Sequence, residues 1–463
     1  MARSWTKTTE LSHSYPPHVR AWYAVGVLYV AYVLAFVDRQ IIAFLVAPIR
    51  ADLGITDFEF SLIAGLAFAI FYAVLGIPIG LVADRWSRRN LVAIGIALWS
   101  VMTGLCGLAG NYLHLFVARL GVGVGEGTLT PSAISLISDL FPRERRGLPI
   151  NVYTAGVYGG IGIANIFGGL IVAYTAAASG IDLPWVGHLR SWQAAFMLVA
   201  LPGAAVALLA LTFREPIRHE RTTSTVRVDD TVRYVRANGF LYAALMLGAA
   251  VSSIGSYGLY GWVPALFQRV HGWDSARIGF DFGLLTIVFG TGGLVCSGLL
   301  AARLLRAGVK AVYSKIMAVA MALAVVPGVL LGLIADPHAM LVCIAVLFFL
   351  LAVPVGLVQV ALQAITPNEM RAQVLAVYLA IVALLGPFIG SSAVAALTDF
   401  YFGNDALVGR SISVVLSVAS VLSVVLLASS IPAYVRSADT PRPWSGASLP
   451  RKAAQQDELA RHR

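Results

Sequence analysis

Apolar residues run through this chain in long stretches separated by short polar punctuation. Read from the N-terminus, these stretches predict helices over residues 20–47, 59–83, 90–109, 112–140, 148–176, 191–213, 238–268, 275–303, 311–333, 338–366, 370–398 and 408–435. Most are near the length of about 20 residues that carries a helix across roughly 30 Å of hydrocarbon. The period-2 alternation of an outer-membrane barrel is absent. The pattern predicts an all-α integral membrane protein with twelve transmembrane helices. The first apolar run, from about Ala21 to Val46, is too long for the apolar part of a cleaved signal and is predicted to stay as the first helix.

The punctuation repeats. "FPRERRGLPINVY" (Phe141 to Tyr153) follows the fourth predicted helix and "TPNEMRAQVLAVY" (Thr366 to Tyr378) follows the tenth. Pro142, Glu144, Arg146 and Tyr153 recur 225 positions later as Pro367, Glu369, Arg371 and Tyr378. "GLVADRW" after the second helix is echoed by "GLLAARL" after the eighth, offset by 218. Two echoes at matching places in the topology predict a duplicated six-helix unit. The halves are residues 1–213 and 238–435, joined by a polar linker over 214–237 and followed by a tail over 436–463. Parallel six-helix halves place a transporter's site between them near the bilayer midplane.

Composition and charge sharpen this picture. The 463 residues are 59% hydrophobic and 12% charged, with a net charge of +10. A soluble domain has about 25% charged residues, so this chain cannot cover itself with a polar surface. Of the 33 Lys and Arg, 26 fall on one side of the predicted bundle, counting helix ends. The other side holds Arg50, Arg190, Arg269, Arg277 and Arg410, and the helices hold Arg39 and Arg119. That asymmetry predicts cytoplasmic termini in the cell's inner membrane. It also makes the basic excess topological, so no nucleic-acid partner is expected. The cysteines Cys106, Cys296 and Cys343 lie in apolar runs and imply no disulfide framework. No nucleotide motif, metal-ligand cluster or Ser/His/Asp arrangement is present, so neither an enzyme nor a metal or other cofactor is expected, and the chain is predicted to be a monomer.

Charges inside the apolar runs carry the candidate chemistry. In "VLAFVDRQIIAFLV" (Val33 to Val46), Asp38 and Arg39 are adjacent. Each charge in hydrocarbon costs at least about 2.5–3.5 kcal/mol on insertion scales, so it is expected to face a cavity and serve function. Adjacent helix residues point about 100° apart, so the two need separate partners. Arg119 and Glu126 in the fourth helix, seven residues apart, share one face and offer them. The four are expected to form one cluster, read either as a fixed structural ion-pair network or as a substrate-binding and proton-coupling site. Glu126, near mid-depth, is the first candidate for the titrating carboxylate and Asp38 the second. Glycine-rich "GVGVGEG" (Gly121 to Gly127) lacks the Lys-Ser/Thr of a phosphate loop and is read as a close-packing surface. "SYGLYGWVP" places Tyr257, Tyr260 and Trp262 together as a cavity wall and gate, or as an interfacial belt. Asp281 is a further cavity candidate.

"GIPIGLVADRWSRRN" (Gly76 to Asn90) resembles the loop signature of the major facilitator superfamily, with Gly80, Asp84, Arg85, Arg88 and Arg89 at the signature spacing. The resemblance implies the superfamily's fold and a conformational latch between halves, with Glu144 and Arg146 in the companion loop. In the second half Ala302 replaces the counterpart of Asp84, which weakens any second latch. "VDRQII" and "RLGVGVGEGTLTPSAISLISDLFPRERRG" are similar to the Spinster family, which includes exporters of sphingosine-1-phosphate and carriers of lysophospholipids. That similarity implies a secondary transporter moving an amphiphilic anion by alternating access, with protons as candidate coupling ions. The rival within the class is a proton-coupled carrier of small organic acids or hydrophobic drugs. The rival outside it is a membrane receptor without transport.

Overall fold

A computed structural model describes residues 15–67, 69–70, 86–142, 145–184, 187–218, 228–367 and 370–439. α1 (His18–Gln40) continues through a 3₁₀ turn (Ile41–Phe44) into the short α2 (Val46–Leu53). α3 (Asp57–Ser61) runs on into a π turn (Leu62–Leu66). There follow α4 (Arg88–Cys106), α5 (Tyr112–Glu126), α6 (Leu129–Leu140), α7 (Gly147–Ala177), a small hairpin of β1 (Ile181–Leu183) and β2 (Gly187–Leu189), and α8 (Ser191–Thr212). The second set is α9 (Val228–Ala237), α10 (Gly239–His271), α11 (Ser275–Leu285), a π turn (Thr286–Gly290) and α12 (Thr291–Arg306). It continues with α13 (Val312–Leu331), α14 (Pro337–Ile365) and α15 (Arg371–Leu384), then α16 (Ser391–Ala396) set between two π turns, and α17 (Val408–Asp439). Side chains cap several starts: Asn111, Asp274 and Asp336 accept the N–H of His114, Arg277 and Ala339. Thr56 and Glu59 form a capping box on α3.

Ten helices among the described residues are long and apolar enough to cross a membrane. The predicted helix over 59–83 is described only in part. The predicted single helix over 112–140 is instead two, α5 and α6, parted at Gly127 and Thr128. The physical cause is local: Thr128 turns its hydroxyl back to donate to the Gly125 carbonyl at 2.8 Å, competing with the helix ladder in a glycine-rich run. The glycines do serve packing. A Cβ on Gly125 would lie 2.7 Å from the Gly95 carbonyl oxygen of α4.

The helices gather into two groups. In the first, α1 packs on α7 and α4 on both α5 and α8. In the second, α17 packs on α10 and α13, and α13 on α14. The echoed loops make the same bonds. Arg146 Nε donates to the Phe141 carbonyl at 2.9 Å, and Arg371 Nε donates to the Thr366 carbonyl at 3.0 Å. Tyr153 and Tyr378 are both buried.

The buried apolar residues form two clusters of different reach. One, built on Ala21–Ala35, Val92–Trp99 and Val206–Phe213, stays within the first group, near the face where α1 begins, here called proximal. The other joins Phe36–Ile63 to α10, α14 and α17, so it crosses from one group to the other toward the opposite, distal face. Tight crossings repeat this asymmetry. α7 meets α11 at Gly169 and Gly279, where a Cβ on either would lie 2.9 Å from the other's Cα. Ser61 Oγ donates to Ser392 Oγ at 3.0 Å, and Gln268 Nε2 to the Phe44 carbonyl at 3.2 Å. All lie in the distal halves of their helices. Among the described residues, these contacts bring the two groups together on the distal side.

Candidate functional site

Between the groups lies a cavity of about 210 Å³. α1 supplies Phe36, Arg39 and Gln40, and α5 supplies Arg119. The opposite wall comes from α10 (Ser253, Ser256, Tyr257 and Tyr260) and the flank from Tyr158 of α7. One end is cationic and the rest is aromatic, aliphatic or hydroxylic. Tyr260 stacks on Phe348 with ring centroids 4.8 Å apart, which fixes the wall.

The four intramembrane charges meet here, in a pattern the spacing only partly predicts. Arg39 Nε donates to Glu126 Oε2, while Arg39 Cζ lies 5.3 Å from the Phe36 ring centroid. Arg119 Nη1 donates to the backbone carbonyl of Asp38 at 3.0 Å, not to its carboxylate. Asp38, Arg119 and Glu126 are each 1% exposed, and each retains an unbonded polar atom: Asp38 Oδ1, Arg119 Nε and Glu126 Oε1. The Thr103 hydroxyl of α4 lies beside the Asp38 carboxylate. Two guanidinium groups and two carboxylates gather at this end of the cavity. A cluster in this state can take up a proton at a carboxylate or an anion at a guanidinium.

The other predicted wall residues divide. Tyr257 and Tyr260 line the cavity. Trp262 stands behind it, 1% exposed, with Nε1 donating to the Ser391 carbonyl at 3.0 Å. Asp281 lies outside the cavity, 3.8 Å from Arg277 on its own helix.

A second charge cluster, on the distal face, joins the two groups. Arg269 of α10 grips Asp57 of α3 with two bonds, 2.6 and 2.7 Å. Arg50 of α2 is 3.0 Å from Asp57 and 2.5 Å from Asp405. Asp399 accepts the Phe58 N–H at the start of α3, at 2.7 Å. Asp57 is fully buried, and Arg269 sits 5.7 Å from the Trp262 ring centroid, linking this cluster to the cavity wall. Burial pulls the Arg50 proton affinity down, but the bond to Asp405 and the charges of Asp57, Asp405 and Asp399 outweigh it and raise its pKa. The three carboxylates approach within 4.8 Å, as for a cation, but two guanidinium groups already fill that role. Sequence reasoning missed this cluster, because charges in loops carry no burial signal.

The predicted latch is described in part. Gly80, Asp84, Arg85 and Glu144 lie outside the described residues. Arg88 is buried and its named partners are all in the first group and the start of the linker: Asp139 at 2.5 Å, Ser135 Oγ at 2.9 Å and Glu215 at 2.9 Å. Glu215 also accepts the Arg89 N–H at 2.8 Å, tying the linker to the start of α4. Arg146 serves its own loop, as described above.

Residues 28–391 match the family described as Major Facilitator Superfamily. The chain is 30% identical over 392 residues, 82% of its length and 86% of the relative's, to an MFS-type efflux pump of Mycolicibacterium smegmatis. It is 24% identical over 299 residues to the protein spinster of Drosophila melanogaster, covering 62% of this chain and 46% of that one. Its structure aligns with the inward-facing, unoccupied crystal structure of a bacterial homolog to the human lysosomal transporter Spinster. That alignment has a TM-score of 0.77, 25% identity, and covers 92% of this chain and 100% of the other.

Proposed function

This chain belongs to the Major Facilitator Superfamily, and on that premise we propose that it is a secondary active transporter of an amphiphilic anion, a sphingoid phosphate or lysophospholipid, coupled to protons through Glu126. The carrying observation is the cavity with Arg39 and Arg119 at one end and aromatic walls elsewhere. A guanidinium fork suits a phosphate or carboxylate, and Arg119 Nε has no competing hydrogen bond. The volume of about 210 Å³ suits a headgroup, with the chain extending toward the proximal side.

Residues 1–213 and 238–435 act as the two rocking halves in this reading, linked by 214–237. In this reading the protein sits in the inner membrane with its proximal face cytoplasmic, which the positive-inside asymmetry supports, and the described conformation is inward-facing. Asp84, Arg85 and Glu144 would complete a latch beside Arg88 in the opposite state. Coupling follows from the Arg39–Glu126 pair. Protonating Glu126 removes the charge that occupies Arg39 and frees that guanidinium for the substrate anion. Proton and anion therefore bind cooperatively at one site. A second reading, a carrier of hydrophobic drugs, draws on the efflux-pump relative and the largely apolar walls.

Uptake by proteoliposomes, with and without a pH gradient, separates the readings. Lysophospholipid flux that needs both the gradient and Arg119 supports the first. Drug flux that persists in Arg119→Ala, with no lysophospholipid flux in the unmodified protein, supports the second.

A further inference from the structure

The flank of the second group carries a groove that neither the cavity nor the distal cluster uses. It lies between α12, α13 and α14 and encloses about 380 Å³. Leu300, Leu304, Val319, Leu323 and Phe349 form its walls. Val319 and Leu323 are each 58% exposed, so the groove opens to the surface that faces lipid. Lys315, in the first turn of α13, lines its proximal end and is exposed. From Lys315 to Leu323 the helix rises about 12 Å, close to the roughly 15 Å of hydrocarbon in one leaflet.

Charge marks the same end. No acidic residue occurs between Asp281 and Asp336, while Arg303, Arg306, Lys310 and Lys315 all fall in that interval. Each of the four is exposed. The groove is thus apolar to the depth of one leaflet and cationic where a headgroup would sit. A zwitterionic lipid would make the same chain contacts and offer a phosphate, but its own cation offsets the attraction to this basic end. We propose that this groove binds one acyl chain of an anionic phospholipid from the proximal leaflet, with the lipid phosphate on Lys315 and the neighbouring arginines.

The chain offers its own reporter. The Cys296 thiol lies in the groove wall and is exposed, whereas Cys106 and Cys343 are buried. The test labels Cys296 of the full-length protein with a bimane fluorophore in phosphatidylcholine nanodiscs. Lipids carrying a mid-chain nitroxide are then added with phosphatidylglycerol or phosphatidylcholine headgroups. Phosphatidylglycerol is expected to half-quench at about fivefold lower mole fraction, the preference that one basic residue near the surface supplies. Lys315→Gln should bring the phosphatidylglycerol curve toward that of phosphatidylcholine and leave the latter unchanged. Equal curves in the unmodified protein overturn the proposal, as does a preference that survives Lys315→Gln combined with Arg303→Gln. A second measurement avoids the fluorophore: Leu323→Trp, which fills the groove, should lower the phosphatidylglycerol retained through detergent purification, read by native mass spectrometry. Unchanged retention overturns the proposal.

Discussion

Two charge clusters join helices in this protein, and they are built in opposite ways. In the distal cluster, Asp57 is shared by two arginines and gripped by two short bonds from Arg269, and Asp399 holds the N-terminus of α3. In the central cluster, Asp38, Arg119 and Glu126 each keep an unbonded polar atom. The distal cluster spans the two groups, linking α2 and α3 to α10 and the loop before α17. The central one lies within the first group, between α1 and α5. A saturated network favours one arrangement of helices over others. An unsaturated one has capacity left for a ligand or a proton. Under the proposed function, the distal cluster holds the groups together and the central one changes.

The largest effect is expected at the distal cluster. Asp57→Ala removes the buried carboxylate that Arg269 grips and leaves Asp405 to serve both arginines, a loss of about 3–5 kcal/mol. That loss is expected to fall on the described, distally closed arrangement, whose two groups the cluster joins. Spin labels at Leu113 and Tyr401, both exposed on the distal part of opposite groups, should report a longer-distance population. An unchanged distance distribution would remove the holding role.

A smaller effect is expected in the cavity. Arg119→Ala should weaken binding of an anionic lysolipid by about 1.5–3 kcal/mol, the worth of a hydrogen bond to a charged group. Distances between the distal labels should stay the same. Calorimetric titration in detergent measures the first and the spin labels the second. If the distances move as well, the clusters are not separable in this way.

The smallest of the three is expected at the helix crossing that accompanies the distal cluster. Gly279→Ala drives a methyl toward Gly169, where its Cβ would lie 2.9 Å from that residue's Cα. Overpacking of this kind costs about 1–3 kcal/mol, again charged to the distally closed state. The spin-label pair should shift in the same direction as for Asp57→Ala, by less. A shift toward closure would contradict the assignment of that crossing.

The two clusters also differ in how far the chain discloses them. Asp38, Arg39, Arg119 and Glu126 were legible because a charge in an apolar run is expensive enough to need a reason. Helical geometry then required separate partners for Asp38 and Arg39, and the Arg39–Glu126 pair met that requirement. It could not show that Arg119 would choose a backbone carbonyl over the Asp38 carboxylate. Arg50, Asp57, Arg269 and Asp405 sit at helix ends where charges are ordinary. Arg269 is 212 residues from Asp57, and Asp405 is 355 from Arg50, so only the fold brings them together. The long helices were legible from hydropathy, while the break at Gly127 and Thr128 was not, since both flanks are equally apolar. Trp262 looked like wall and is a support behind it, because two residues on from Tyr260 a helix has turned about 200°.

The central claim is that Glu126 exchanges a proton for its hold on Arg39. Its most direct test is the pH dependence of binding of an anionic lysolipid with a permanently charged sulfonate headgroup, in the unmodified protein and in Glu126→Gln. The account predicts that affinity in the unmodified protein rises as pH falls. Glu126→Gln should bind at least as tightly at neutral pH as the unmodified protein does at low pH, with a flat profile. A Glu126→Gln variant that keeps the unmodified pH profile would contradict the claim and move the proton to Asp38 or remove it from the mechanism.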